Sequence, residues 1–311
     1  MEKARDALWG GLLPLEIRMV ESEIASSHQP FPLYVLVPRM GYLGCLVEHL
    51  LDHFGDAAVP SPLPTVWLED AQRKQPLRWH LPIGVLFDLL PSQMLPWRMF
   101  VHFDRFPEGL IPSIAGETDV RRHWANSFKQ GIYLQNGHPK VATSLSLDQL
   151  KQLWEGVRLG DRQVFESALP AEVNNETMQD EDTLRVPVRI MLPDASLRQP
   201  LILPYRDKAE REDVSELSKS EEGKVPVTVR EVCLAVLEEA KDEGELAVTG
   251  TGSSTTTPPS NTPSTLSWSI WAQGVELADD VSVLEAWVML RSADNFLYLI
   301  PRERGVESGP E

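Results

Sequence analysis

An α+β chain, with a strand–strand–helix–strand unit at each end and helices between, is predicted by three observations. Residues 12–103 contain two apolar strand-like runs, an amphipathic helix and further short strands. Residues 185–301 repeat that order. The stretch between them reads as helix throughout. The repeated order is that of a ubiquitin-like β-grasp domain, so the predicted class is two ubiquitin-like β-grasp domains bracketing a helix-rich domain.

The first unit opens with a short helix, Glu2 to Trp9, stopped by Gly10-Gly11. LLPLEIRMV (12–20) and FPLYVLVPR (31–39) follow as a hairpin joined by a polar turn. GYLGCLVEHLLDHF (41–54) sets Leu43, Leu46, Val47, Leu50, Leu51 and Phe54 on one helical face. TVWLE (65–69), PLRWH (76–80) and RMFVHF (98–103) read as strands, with the apolar PIGVLFDLL (82–90) between the last two. In the middle, Asp119 to Leu134 carries Val120, Trp124, Phe128 and Gly131/Ile132 on one side. Ser146 and Gln149 form a capping box for a second helix, and Arg162 to Leu169 a third, ended by Pro170. The last unit has strands at 185–192 and 199–204, then a helix capped by Thr228 and Glu231 and running through Ala240. It closes with strands at 267–277 and 294–301 around an apolar segment, 281–290. The expected division is 1–107, 108–171, an acidic linker 172–184, and 185–302 with insertions at about 205–224 and 242–265.

Composition limits what such a chain does. Its 311 residues carry 46 acidic against 29 basic side chains, a net charge of −17, so general nucleic-acid binding is excluded. Most of the excess falls in 172–182, 207–222 and 238–245, and TGTGSSTTTPPSNTPST (249–265) has no core-forming residues. Two cysteines, Cys45 and Cys233, make no disulfide framework and point to a reducing compartment. MEKARDALWGG has no apolar signal region, and no apolar run reaches the roughly 18 residues of a membrane span. The expectation is a cytoplasmic protein with peripheral membrane contact open.

Catalytic motifs are missing: there is no P-loop, GxGxxG, GxSxG or HExxH. Cys45, His49 and His53 share a helical spacing but face away from the apolar stripe, which suits surface side chains better than a zinc site. Neither a catalytic thiol, a metal nor a cofactor is expected. One local feature stands out. Gln135-Asn136-Gly137-His138-Pro139 is a strong turn, placing Lys140 in an exposed connection between two helices. An exposed amine is an adequate acceptor for a thioester-activated carbonyl, although the residues alone favour an ordinary surface lysine. Around it, 119–151 is locally basic, with Arg121, Arg122, Lys129, Lys140 and Lys151 against Asp119 and Asp148, a composition that suits either a solvated face or lipid headgroups.

WGGLLPLEIRM, PRMGYL, LRWHLPIGVLFDLL, PWRMFVHFDRFP, HWANSFKQGIYLQNGHPKVATSLSLDQLKQLW and DNFLYLIP together resemble the autophagy protein 5 family, with plant-type members most alike. The similarity covers most of the chain outside the acidic and Ser/Thr/Pro-rich stretches. It implies that Lys140 is joined by an isopeptide bond to the ubiquitin-like modifier autophagy protein 12, activated and transferred by separate conjugating enzymes. It implies further that the conjugate binds an amphipathic helix of autophagy protein 16 in a groove between the ubiquitin-like domains. That complex stimulates attachment of autophagy protein 8 to phosphatidylethanolamine at the isolation membrane. No active site of the chain's own is required. Pro139 departs from the family pattern beside the acceptor. The residues alone also allow a non-covalent module of two ubiquitin-like folds that binds a helical partner.

Overall fold

The computed structural model describes residues 2–60, 65–90, 94–173, 184–207, 224–242 and 268–304. Of the acidic linker expected at 172–184 and the insertions expected at about 205–224 and 242–265, residues 174–183, 208–223 and 243–265 lie outside them.

Helix α1 (Glu2–Trp9) leads into a sheet of β1 (Leu12–Met19), β2 (Leu33–Pro38), β3 (Trp67–Asp70) and β4 (Trp97–His102), ordered β2-β1-β4-β3. The two central strands, β1 and β4, run parallel, and the outer pairings are antiparallel. Packed on one face are α2 (Val47–Phe54), entered through a 3-10 turn at Leu43–Leu46, and α3 (Ile83–Asp88). Two expectations need correction. Residues 76–80 form no strand, since only Pro76 bridges Glu69 before the chain turns. Leu51, placed on the apolar face by spacing, is exposed at the edge of the helix face that buries Val47, Leu50 and Phe54.

The helical middle comprises α4 (Glu117–Asn136), α5 (Lys140–Ser144), α6 (Leu147–Leu159) and α7 (Arg162–Ser167). Ser146 and Gln149 form the reciprocal capping box that opens α6. Gly156 of α6 sits where a Cβ would come within 2.6 Å of the Phe165 amide nitrogen, which lets α6 and α7 pack closely.

The last unit contains β5 (Val186–Met191), β6 (Leu197–Arg198), β7 (Leu201–Ile202), β8 (Tyr205–Asp207), β9 (Lys224–Pro226), α8 (Val229–Asp242), β10 (Trp268–Ala272), β11 (Val275–Leu277), α9 (Val283–Leu290) and β12 (Leu297–Glu303). Its main sheet runs β11-β10-β12-β5-β6, again with the two central strands, β5 and β12, parallel. Differences from expectation are local. The run 199–204 pairs only at Leu201 and Ile202. The single strand read at 267–277 is a hairpin turning at Gln273 (φ 52°) and Gly274 (φ 78°). The insertion expected from about 205 begins inside the β8–β9 pair.

The repeat extends to detail. Tyr42 bridges Pro82 ahead of α2 and α3, and Thr228 bridges Ser282 ahead of α8 and α9. In each unit the same short link, Ile83 N to Gly41 O and Val283 N to Val227 O, ties the two helix starts together.

Strand alternation assigns the two faces of the second sheet. Val188, Ile190, Leu297 and Leu299 fill its own core with α8 and α9. Met191, Tyr298 and Ile300 join the larger core formed by the first unit and the helical middle. The sheet is therefore covered on both faces, which is why DNFLYLIP reads as a continuous apolar run rather than an alternating one.

Candidate functional site

Helix α4 ends at Asn136, and Gly137 caps it in the left-handed conformation (φ 68°), its amide donating to Tyr133 O at 2.9 Å. His138 and Pro139 complete the turn, both exposed. Lys140 then opens α5 rather than lying in an open loop, because Pro139 adopts helical angles (φ −79°, ψ −9°) and starts the next helix instead of blocking it. Its backbone is fixed: Thr143 N donates to Pro139 O (2.9 Å), and Thr143 Oγ1 donates to Pro139 O (3.0 Å) and Lys140 O (3.1 Å). Val141 and Ala142 are buried while Lys140 is exposed. The arrangement presents a flexible primary amine on an anchored backbone. Within the basic stretch, Arg122 pairs with Asp119 (3.1 Å) and Lys151 with Asp148 (3.4 Å).

One face of α4 grips the turn before β12. Trp124 Nε1 donates to Ala293 O (3.2 Å), and Ser127 Oγ to Asp294 Oδ2 (2.8 Å). Gly131 leaves no room for a Cβ, which would stand 2.8 Å from Asp294 O. Asn295 Nδ2 donates to Gln135 Oε1 at 2.9 Å. Arg189 of β5 is the hub beside them, donating to Ser127, Gln130, Gln199, Tyr298 and Asp294, with its guanidinium 3.6 Å from the centre of the Phe296 ring. Burial disfavours its charge, but Tyr298 and Asp294 hold its pKa above the ordinary value. The sequence placed Trp124 and Gly131 on one side of their helix but singled out none of Ser127, Gln130, Gln135 and Arg189. Only the Asp294-Asn295 start of the DNFLYLIP run marked the turn they meet.

The two ubiquitin-like units also meet directly. Arg39 donates to both Asp88 oxygens (2.7 and 2.6 Å) within the first unit, and Gly274 of the second lies against its guanidinium. Arg302 donates to Asp88 O and stacks over Trp271, 4.4 Å from the ring centre. Burial pushes the Asp88 carboxyl up, opposed by Arg39.

The cysteine and histidine expectations are equally concrete. Cys45 is half-buried while His49 and His53 are exposed, and His53 Nε2 sits 3.0 Å from Phe31 O. Among the described residues no group of three His, Cys, Asp or Glu side chains is placed to hold a metal ion. Burial pushes both thiols, Cys45 and Cys233, up to about 12, so neither is a thiolate near neutrality.

The chain matches three family models in order: "Autophagy protein ATG5, UblA domain" over 8–103, "Autophagy protein ATG5, alpha-helical bundle region" over 117–174, and "Autophagy protein ATG5, UblB domain" over 185–300. The chain belongs to the autophagy protein 5 family. Autophagy protein 5 of Arabidopsis thaliana is 33% identical over 175 residues, 56% of this chain and 51% of that protein. Autophagy protein 5 of Oryza sativa subsp. indica is 33% identical over 160 residues, 51% of this chain and 41% of its own length. The chain thus spans about half the length or less of these plant relatives. The crystal structure of Kluyveromyces marxianus Atg5 shares the fold, with a TM-score of 0.68 at 20% identity, covering 97% of this chain and all of that one.

In this autophagy protein 5 family member an open cleft of about 250 Å³ lies between the first unit and the β5–β6 turn. Leu86, Leu89 and Leu90 floor it, Leu110 stands exposed at its edge, and Arg73 and Asp194 rim it. The residues of α3 are buried as core, and of them Leu86 alone lines the cleft, together with Leu89 and Leu90 from the end of the 82–90 run. Near it, His80 is pushed down to about 4 by burial first, then by His123 and Arg78. The folded imidazole resists a proton that the unfolded one accepts near 6.5, so stability falls as pH drops from 6.5 toward 4. With allowance for partial solvent exposure the loss is about 1–2 kcal/mol. Urea midpoints of wild type and His80→Gln at pH 7.5 and 4.5 check this: the gap between the two proteins changes with pH only if His80 titrates this way. Among the described residues no helix is long and apolar enough to cross a membrane.

Proposed function

We propose that this chain is a non-catalytic conjugation scaffold in autophagy, divided as 1–107, 108–171 and 185–302, with Lys140 as its covalent acceptor. The observation that carries the reading is the exposed Lys140, held by α5 immediately after the Asn-Gly turn of the family's helical bundle region. The neutral Lys140 amine attacks the thioester carbonyl of autophagy protein 12 carried by its conjugating enzyme. The C–N bond forms as the C–S bond breaks, the enzyme leaves as its thiol, and the amine proton passes to it or to solvent. An amphipathic helix of autophagy protein 16 occupies the leucine-floored cleft, with Arg73 and Asp194 meeting its polar edge. The assembled complex then stimulates transfer of autophagy protein 8 to phosphatidylethanolamine on the isolation membrane, to which the scaffold attaches peripherally.

Incubating the chain with autophagy protein 12 and its two upstream enzymes yields an adduct stable to reductant, with a branched peptide at Lys140 by mass spectrometry. Lys140→Arg forms none. Normal adduct formation by Lys140→Arg overturns the acceptor assignment. Absence of any adduct, with helix binding intact, leaves the non-covalent module.

A further inference from the structure

We infer that Gln135, through Asn295, is a positioning residue for the acceptor turn, so that the second ubiquitin-like unit sets where the Lys140 amine points. The inference rests on the acceptor reading above. Gln135 is in the last turn of α4, one residue before its end and five before Lys140, and is only 6% exposed. A buried glutamine in a helix's final turn costs more than an apolar residue of the same size unless its amide is satisfied. Here the partner comes from 160 residues away, with Asn295 Nδ2 donating to Gln135 Oε1 at 2.9 Å.

The orientation of the Asn295 amide is set by chemistry. Its Oδ1 accepts from Arg291 Nη1 at 3.1 Å, and because a guanidinium only donates, the Nδ2 must face Gln135. Asn295 is itself held rigidly: its φ of 68° suits asparagine in a tight turn, its amide donates to Ser292 O, and its carbonyl accepts from Trp287 Nε1 at 2.9 Å. The same Arg291 reaches Val173 O at 3.3 Å, where the helical middle ends. A continuous chain of bonds therefore runs from Val173 through Arg291 and Asn295 to Gln135, and the end of the helical middle and its α4–α5 turn are both referred to one turn. Trp124, Ser127 and Gly131 contact the same turn further along α4, but Gln135 alone of the four lies in the turn of helix that leads into Gly137.

Aminolysis needs the amine about 3–3.5 Å from the thioester carbon, and an error near 1 Å costs on the order of 100-fold. A loosened α4 end displaces the amine without changing how the charged enzyme docks.

The test is single-turnover transfer of the modifier from its thioester-charged conjugating enzyme to the full chain, with thermal unfolding measured alongside. Gln135→Met keeps length and bulk but leaves Asn295 Nδ2 unpaired. Its maximal rate falls by about 10-fold, with half-saturation by the charged enzyme within about 2-fold of wild type. Asn295→Gly, which accepts the positive φ without strain, lowers the maximal rate similarly from the other side of the bond. Gln135→Glu retains the acceptor oxygen and recovers most of the rate. The inference is overturned if Gln135→Met and Asn295→Gly both transfer at the wild-type rate, if the loss lies in half-saturation, or if Gln135→Glu is impaired as much as Gln135→Met. A wild-type chain that forms no adduct, or a Lys140→Arg chain that does, refutes the acceptor reading instead.

Discussion

Replacing Arg189 by methionine lowers the stability of the whole chain by about 3–5 kcal/mol, read as a shift in denaturant midpoint. The residue is 8% exposed and its side chain faces away from the core of its own sheet, toward α4. Removing it strands Asp294, 1% exposed, whose Oδ2 loses one of three donors and its only cationic one among the described bonds. It also frees Ser127 and Gln130 from the bonds that register α4 on β5. The loss reflects the uncompensated charge more than the value of the pair. Arg189→Met combined with Asp294→Asn is therefore expected to be more stable than Arg189→Met alone. If the double variant is the weaker of the two, the account of Asp294 as a stranded charge is wrong.

Asp88→Ala is expected to cost a similar amount, about 3–5 kcal/mol, at the contact between the ubiquitin-like units. Asp88 is 1% exposed and takes both of its short bonds from Arg39, whose guanidinium is wedged against Gly274. Without the carboxylate, a buried guanidinium is left beside Arg302 with its main counter-charge gone. Because the leucine-floored cleft is also shared between the units, helix-peptide affinity is expected to fall along with stability. Asp88→Asn, which keeps an acceptor, loses less of both. Calorimetric binding and unfolding on the same samples distinguish this from a purely local defect, which would leave binding intact.

Legibility in the sequence followed the range of each interaction. The capping boxes at Ser146/Gln149 and Thr228/Glu231 are fixed within four residues, and both form, with reciprocal bonds in each. The repeated unit was legible because each copy carries its own periodicity. Short apolar runs were harder: 82–90 and 281–290 are compatible with strand or helix by pattern alone, and both fold as helices entered from a bridge to the preceding helix start. The turn at Gln273-Gly274 lacks an Asn-Gly or Asp-Gly pair, so the hairpin was read through as one strand. At the site, the exposure of Lys140 follows from its neighbours, whereas its place at the head of α5 depends on Pro139 opening a helix. The bonds from Gln135 to Asn295 and from Ser127 to Asp294 span 160 and 167 positions, and no local pattern encodes them.

The parallel pairing of β5 with β12 has a consequence for how the family's length is free to vary. Val188 lies opposite Leu297, so the central pair of the second sheet forms only after more than a hundred residues of intervening chain have been made. Closing so long a loop is entropically demanding once, yet doubling its length adds only about 0.6 kcal/mol. Inserted residues between the framework strands therefore change the closure term by a fraction of a kilocalorie, and the two-stranded centre tolerates large differences in spacer length without a change of register.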